Sequence, residues 1–256
     1  MLALLTRRAP PPAQEILPLT LADGTTVDIR WVRDPRARRL RLLVGHNGVR
    51  LTVPRSASRR LAEAFLDEHR PWLAQQLLKH TPIETRPFMA GEESRLCLRD
   101  QWLPVEWCEG RYTRVESDGQ GIRIQRTTRT SDRQLSSALR DFYTQQARAD
   151  LGAWLPKYLP DLPRAPLSIR LRPLSSLWGS LSAGDALSLD LSLVLGRPTA
   201  FEYVLVHELC HLIHANHSRR YWREVEKRCP DWRAHRDYLH GDGLALKSEL
   251  RRLTAA

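Results

Sequence analysis

Residues 206–222, VHELCHLIHANHSRRYW, bring His207, His211, His214 and His217 close together, although the whole chain has only 9 histidines. Such density points to a metal ion, and the spacing says which histidines can share it. His207-Glu208-Leu209-Cys210-His211 is an HExxH pattern on a run that reads as an apolar helix through Phe201, Val204, Leu205, Leu209 and Leu212. Thr199-x-x-Glu202, with Pro198 ahead of it, reads as the capping box that opens this helix. Residues four apart on a helix lie about 40° apart in azimuth and about 6 Å apart along the axis. Two imidazoles can therefore converge on one zinc at about 2.0–2.1 Å. Glu208 falls beside that face, placed to reach a water at the ion rather than the ion itself, which suits a general base.

A catalytic zinc takes three protein ligands and keeps one position for water. His214 shares the face of His207, but ligands at 207, 211 and 214 on one straight helix span about 10 Å, too far for one ion. His217 is the better third. Ala215-Asn216 can end the helix, since asparagine tolerates the left-handed conformation, and the chain can then fold back. Ser218 caps the next helix, Arg219 to Cys229, which Pro230 stops. The expected ligands are His207, His211 and His217, with His214 beside them or facing solvent. HExxH followed by a histidine six residues later is also the metzincin spacing. His214 stands where that class has glycine, and no methionine turn follows, because the 2 methionines are Met1 and Met89. A downstream carboxylate, Glu224 or Glu226, is the alternative third ligand.

Outward from the motif, the class reads as α+β. Residues 1–24, with APPPAQ, suggest a flexible leader. Arg39-Leu40-Arg41-Leu42 and Val49-Arg50-Leu51-Thr52-Val53 alternate as antiparallel strands about a turn at His46-Asn47-Gly48. Ser56 or Ser58 caps a helix through Leu61, Phe65, Trp72 and Leu77, broken at Arg70-Pro71. Strands follow around Leu96, Val105 and Val115, with Asp118-Gly119 turning into Ile122 and Ile124. A long helix opens at Asp132 and runs past Leu139, Tyr143 and Leu151 to the proline-rich stretch 156–166. Leu187 to Leu193 alternates as a strand, reached through Ala183-Gly184-Asp185 from Trp178-Gly179-Ser180. The division expected is a small antiparallel β-rich part with one helix over 25–128, a metal-binding part over 129–245, and a tail over 246–256.

Composition bounds the setting. With 256 residues, 42% hydrophobic and 27% charged, the chain reads as globular. No apolar run approaches the length of a membrane span, and charge follows rather than precedes the apolar MLALL, so no membrane and no signal peptide are expected. Cys97, Cys108, Cys210 and Cys229 form no CxxC pair, which suggests a reducing, cytoplasmic location. The net charge of +11 suggests nucleic acid or nucleotide as a partner, or else a solvated arginine-rich surface, since the arginines are dispersed.

These residues resemble the YgjP-like metallopeptidase-domain family, related to SprT-like and other zincin proteases. His207-Glu208-Leu209-Cys210-His211, then Asn216-His217-Ser218-x-x-Tyr221-Trp222, match its HELCH…NHSxxFW core, with tyrosine for phenylalanine. Cys229-Pro230-Asp231-Trp232 resembles its following PDY or PDW step, and Trp178-Gly179-Ser180 its RWGSC segment, with Leu177 and Leu181 in place of arginine and cysteine. The resemblance implies a zincin-like catalytic half with zinc on three histidines, Glu208 as base, and a peptide or protein substrate. It also implies that Trp178, Gly179 and Ser180 lie beside the metal helix, where zincins add a peptide to a sheet edge. The expected function is a zinc metallopeptidase. The alternatives are a metal-dependent hydrolase of nucleotides or other phosphoanhydrides, and a nucleic-acid-associated zinc module without catalysis.

Overall fold

The computed structural model describes residues 14–45, 48–79 and 88–254. The chain divides into two compact units, Met1–Pro82 and Ile83–Ala256. In the first, β1 (Gln14–Thr20), β2 (Thr26–Arg33), β3 (Arg41–Gly45) and β4 (Gly48–Val53) form a sheet ordered β1-β2-β4-β3. Alternation puts Val49, Leu51 and Val53 on its buried face with Ile29 and Trp31. That face packs on α1 (Arg59–Glu68) and α2 (Arg70–Lys79) through Ala62, Leu66 and Leu73. Ser58 caps α1 by accepting the Leu61 N–H at 3.2 Å. Part of the expected leader is therefore a strand: β1 pairs residue for residue with β2, from Gln14 opposite Val32 to Thr20 opposite Thr26. Pro18, which has no N–H to give to a ladder, is accommodated because β1 lies at the sheet edge. Residues 1–13 of that leader, and His46-Asn47 of the expected turn, lie outside the described residues.

The second unit begins with β5 (Arg95–Leu98), β6 (Gln101–Glu109), β7 (Arg114–Ser117) and β8 (Ile122–Arg126), ordered β5-β6-β8-β7. Both four-stranded sheets depart from the expected antiparallel arrangement in the same way. Each joins two antiparallel hairpins through a parallel central pair, β2 with β4 and β6 with β8. The turn between β5 and β6, Arg99-Asp100, holds both residues at positive φ, 53° and 64°. Their N–H groups donate to the carbonyls of Val194 and Leu195, which ties this sheet to the segment that enters the histidine helix.

α3 (Asp132–Tyr158) follows, opened by a capping box from Ser131 to Gln134. Then β9 (Ser168–Arg172), β10 (Gly179–Leu181) and β11 (Ala186–Asp190) form a sheet ordered β10-β11-β9, with β10 on the edge, antiparallel to β11. The expected strand through Leu193 stops at Asp190. Its carboxylate accepts the Ser192 N–H at 2.9 Å and turns the chain into a buried 3-10 segment, Leu191–Leu195. The chain ends in α4 (Pro198–Cys210), α5 (Arg219–Arg228), α6 (Trp232–Gly241) and α7 (Gly243–Thr254). The stretch expected as a tail from 246 is helical to Thr254, with Leu250 and Leu253 buried. Leu96, Ile124, Leu139, Leu189, Leu205 and Leu253 belong to one core. The strands from 95 to 126 thus pack with the histidine helix, and the division falls after Pro82 rather than after residue 128. Among the described residues no helix is long and apolar enough to cross a membrane.

Candidate metal centre

α4 starts with Pro198 in its first turn, where a missing N–H costs nothing. The expected capping box does not form. Arg197 is the cap residue and makes no side-chain cap bond, while Glu202 accepts instead from Tyr158 Oη–H at 2.8 Å and Lys157 Nζ at 3.2 Å. His207 and Glu208 lie in the last turn of α4 and His211 is its C-cap. The helix ends earlier than expected. From His211 to Ile213 the N–H groups reach back three residues, to Glu208, Leu209 and Cys210, so the last turn tightens. Among the described residues the positive φ values outside glycine are at Arg99, Asp100 and Asp185, so Asn216 makes the exit without a left-handed step.

His217 is carried back over the helix end, and Ser218 then caps α5 by accepting the Tyr221 N–H at 3.4 Å. Tyr221 is fully buried between the two helices. Its hydroxyl donates to the His207 carbonyl at 2.8 Å, and its ring lies 4.7 Å from those of both His211 and His217. That hydroxyl is therefore occupied by the backbone rather than offered to a substrate. Trp222 stacks on His217 at 5.7 Å and on Trp232 at 4.2 Å.

The ligand nitrogens of His207, His211 and His217 all lie within 4.8 Å of one another. Tetrahedral zinc with bonds of about 2.0–2.1 Å asks for about 3.3 Å between ligand nitrogens, and Nε2 of His207 stands 3.2 Å from Nε2 of His217. Two such nitrogens facing each other need a proton or a cation between them. Burial first, then the neighbouring His211 and His217, pull the His207 pKa down to about 3, and burial lowers that of His211. Protons are therefore disfavoured here and the lone pairs stay free, which fits a metal. His211 Nδ1–H donates to the His214 carbonyl at 3.2 Å, leaving Nε2 for the ion. So His214 contributes its backbone, and its imidazole is not in the cluster. His207 Nδ1 is buried without a partner, and its ring is held by Tyr203 and Tyr221 at 5.9 and 5.4 Å. The carboxylates weighed as third ligands are engaged elsewhere, Glu224 with Arg228 and Glu226 with Arg233.

Glu208 is 5% exposed and lies against Gly179 of β10, where an added Cβ would stand 2.6 Å from its Cγ and 2.7 Å from Oε1. Burial raises its carboxyl to about 7, with the Leu181 backbone N–H opposing the shift. A cation held by the histidines draws that value back down. Of the three residues expected beside the helix, Gly179 meets Glu208, Ser180 follows on the same short strand, and Trp178 turns toward α7. The role of α7 was not visible in the sequence, because its partners lie far back along the chain.

A family model described as YgjP-like, metallopeptidase domain, matches residues 38–242. Among solved structures, the chain is similar to the crystal structure of the metallopeptidase zymogen of Pyrococcus abyssi abylysin. The identity is 26%, over 38% of this chain and 90% of that one, with a TM-score of 0.29. No curated protein matches.

Proposed function

The chain belongs to the YgjP-like metallopeptidase-domain family, and on that premise we propose that it is a zinc-dependent peptidase with a zincin-like catalytic half. The observation that carries this reading is the convergence of three imidazoles, with the buried Glu208 next to one of them in the chain. His207, His211 and His217 would hold the ion. A zinc there supplies a Lewis acid for the scissile carbonyl and lowers the pKa of the attacking water toward about 7. Glu208 takes the proton from that water and delivers it to the leaving amine. β10, paired on one side by β11, offers its free edge to an extended peptide and places it beside Glu208. This chemistry needs no second metal and no phosphate-binding loop.

The test is a substrate panel on the full chain: quenched peptides, an unfolded protein, nucleoside triphosphates, and single- and double-stranded DNA. Peptide cleavage is expected, lost on chelation and restored by zinc. Triphosphate cleavage without peptide cleavage would overturn the reading. Gly179→Ala provides a sharper check. The added methyl must displace Glu208 or β10, so kcat/KM is expected to fall about 10–100-fold, as for misplacement of about 1 Å, with zinc content unchanged. Full activity in this variant would mean that β10 does not face the reacting groups.

A further inference from the structure

Helix α7 lies beyond the family-matched residues 38–242, yet it reaches Trp178, the residue just before the strand that faces Glu208. Lys247, on α7, is buried, and its ammonium donates in three directions. It reaches Asp190 Oδ2 at 2.5 Å and the carbonyls of Leu174 and Leu177, both at 2.9 Å. Asp190 is 1% exposed and holds the same segment from the other side, accepting the Leu174 N–H at 2.8 Å. Its second oxygen accepts the N–H and hydroxyl of Ser192 at 2.9 and 2.5 Å.

The contact continues to Trp178, the residue before β10. The Lys247 ammonium sits 4.2 Å from the centre of the Trp178 ring, and Gly243 packs so close to that ring that a Cβ would overlap it. The Trp178 carbonyl accepts the Asp190 N–H at 2.8 Å. The next residue, Gly179, begins β10 and touches Glu208. β10 has three residues and a partner on one side, so its register pairs with β11 are a small anchor. All three ammonium donors are thereby satisfied, two of them by carbonyls of the segment that leads into β10.

We propose that Lys247 is a positioning residue, which through Asp190 and the 174–178 segment fixes β10, and with it the peptide-binding edge, against Glu208. The catalytic part of this proposal rests on the peptidase reading; the anchoring part does not.

Removing Lys247 alone leaves the Asp190 charge buried without its counter-charge, and that can unfold the unit. The test therefore uses the double variant Asp190→Asn/Lys247→Met beside Lys247→Met. Leu253→Ala, a fully buried site on the same helix, serves as the control for general loss of stability. Hydrogen exchange, zinc content, kcat and KM are measured on the zinc-supplemented full chain. In the double variant, exchange over 174–182 is expected to rise about tenfold or more while α4 keeps its protection. Zinc content should stay the same, and kcat/KM should fall about 10–100-fold. In Leu253→Ala, exchange over 174–182 should rise only in step with the rest of the unit. Unchanged exchange over 174–182 in the double variant, or a rise no greater than in the control, overturns the proposal. If the parent cleaves no peptide, the peptidase reading falls while the exchange data still decide the anchoring. If parent and double variant cleave equally well, the positioning role falls and the peptidase reading stands.

Discussion

Glu208→Gln is expected to lower peptide hydrolysis by about 10²–10⁴-fold, the range a general base contributes, while zinc stays bound at one ion per chain. Glutamine keeps the shape that Gly179 leaves room for, and it keeps an oxygen toward the Leu181 N–H. What it lacks is a basic oxygen. The variant also separates catalysis from stability. Burial raises the Glu208 carboxyl from 4.5 to about 7, so ionising it opposes folding, and that cost builds up between these values and is fully present above the upper one. Removing the charge relieves the cost in the metal-free chain. Without zinc, the glutamine variant should therefore melt no lower than the parent at pH 8. Steady-state rates, elemental analysis and thermal melts check the three expectations together. A folded variant that has lost its zinc would make Glu208 a ligand and end its assignment as the base.

The second large effect separates the histidines. His217→Ala should cut zinc affinity by more than the 10–100-fold typical of losing a group that only orients a ligand. His214→Ala should retain zinc, because the His214 group that meets the site is its backbone carbonyl, which alanine also has. Competition with a chromogenic chelator measures both. Loss of zinc in the His214 variant with retention in the His217 variant would reverse the assignment.

How much of this was legible in the sequence depends on the range over which each signal acts. The HExxH pair needs only helical spacing, whereas the choice of His217 over His214 rests on the length of a straight helix, and that helix stops at Cys210, before either residue. The β-hairpins of both four-stranded sheets show in local alternation, but their parallel joining does not, since it pairs strands that are not adjacent in sequence. Two local signals misled. Thr199 and Glu202 have the spacing of a capping box, but Glu202 is taken up by Lys157 and Tyr158 on another helix. Leu187 to Leu193 keeps its period of two past Asp190, where a carboxylate bonded to Ser192 turns the chain. Lys247 was the least legible of all. It looks like an ordinary helix-surface lysine until α7 folds onto a carboxylate 57 positions earlier.

The make-up of the histidine cluster has a practical consequence. Three imidazoles with no carboxylate or thiolate among them form a site of intermediate softness, which disfavours magnesium and calcium but discriminates little among the late first-row ions. Across that row, intrinsic affinity rises to copper and then drops at zinc. Which of these ions fills the site then depends on availability weighted by that order. Protein eluted from a nickel-charged column should therefore carry nickel, and its turnover should change once the ion is exchanged.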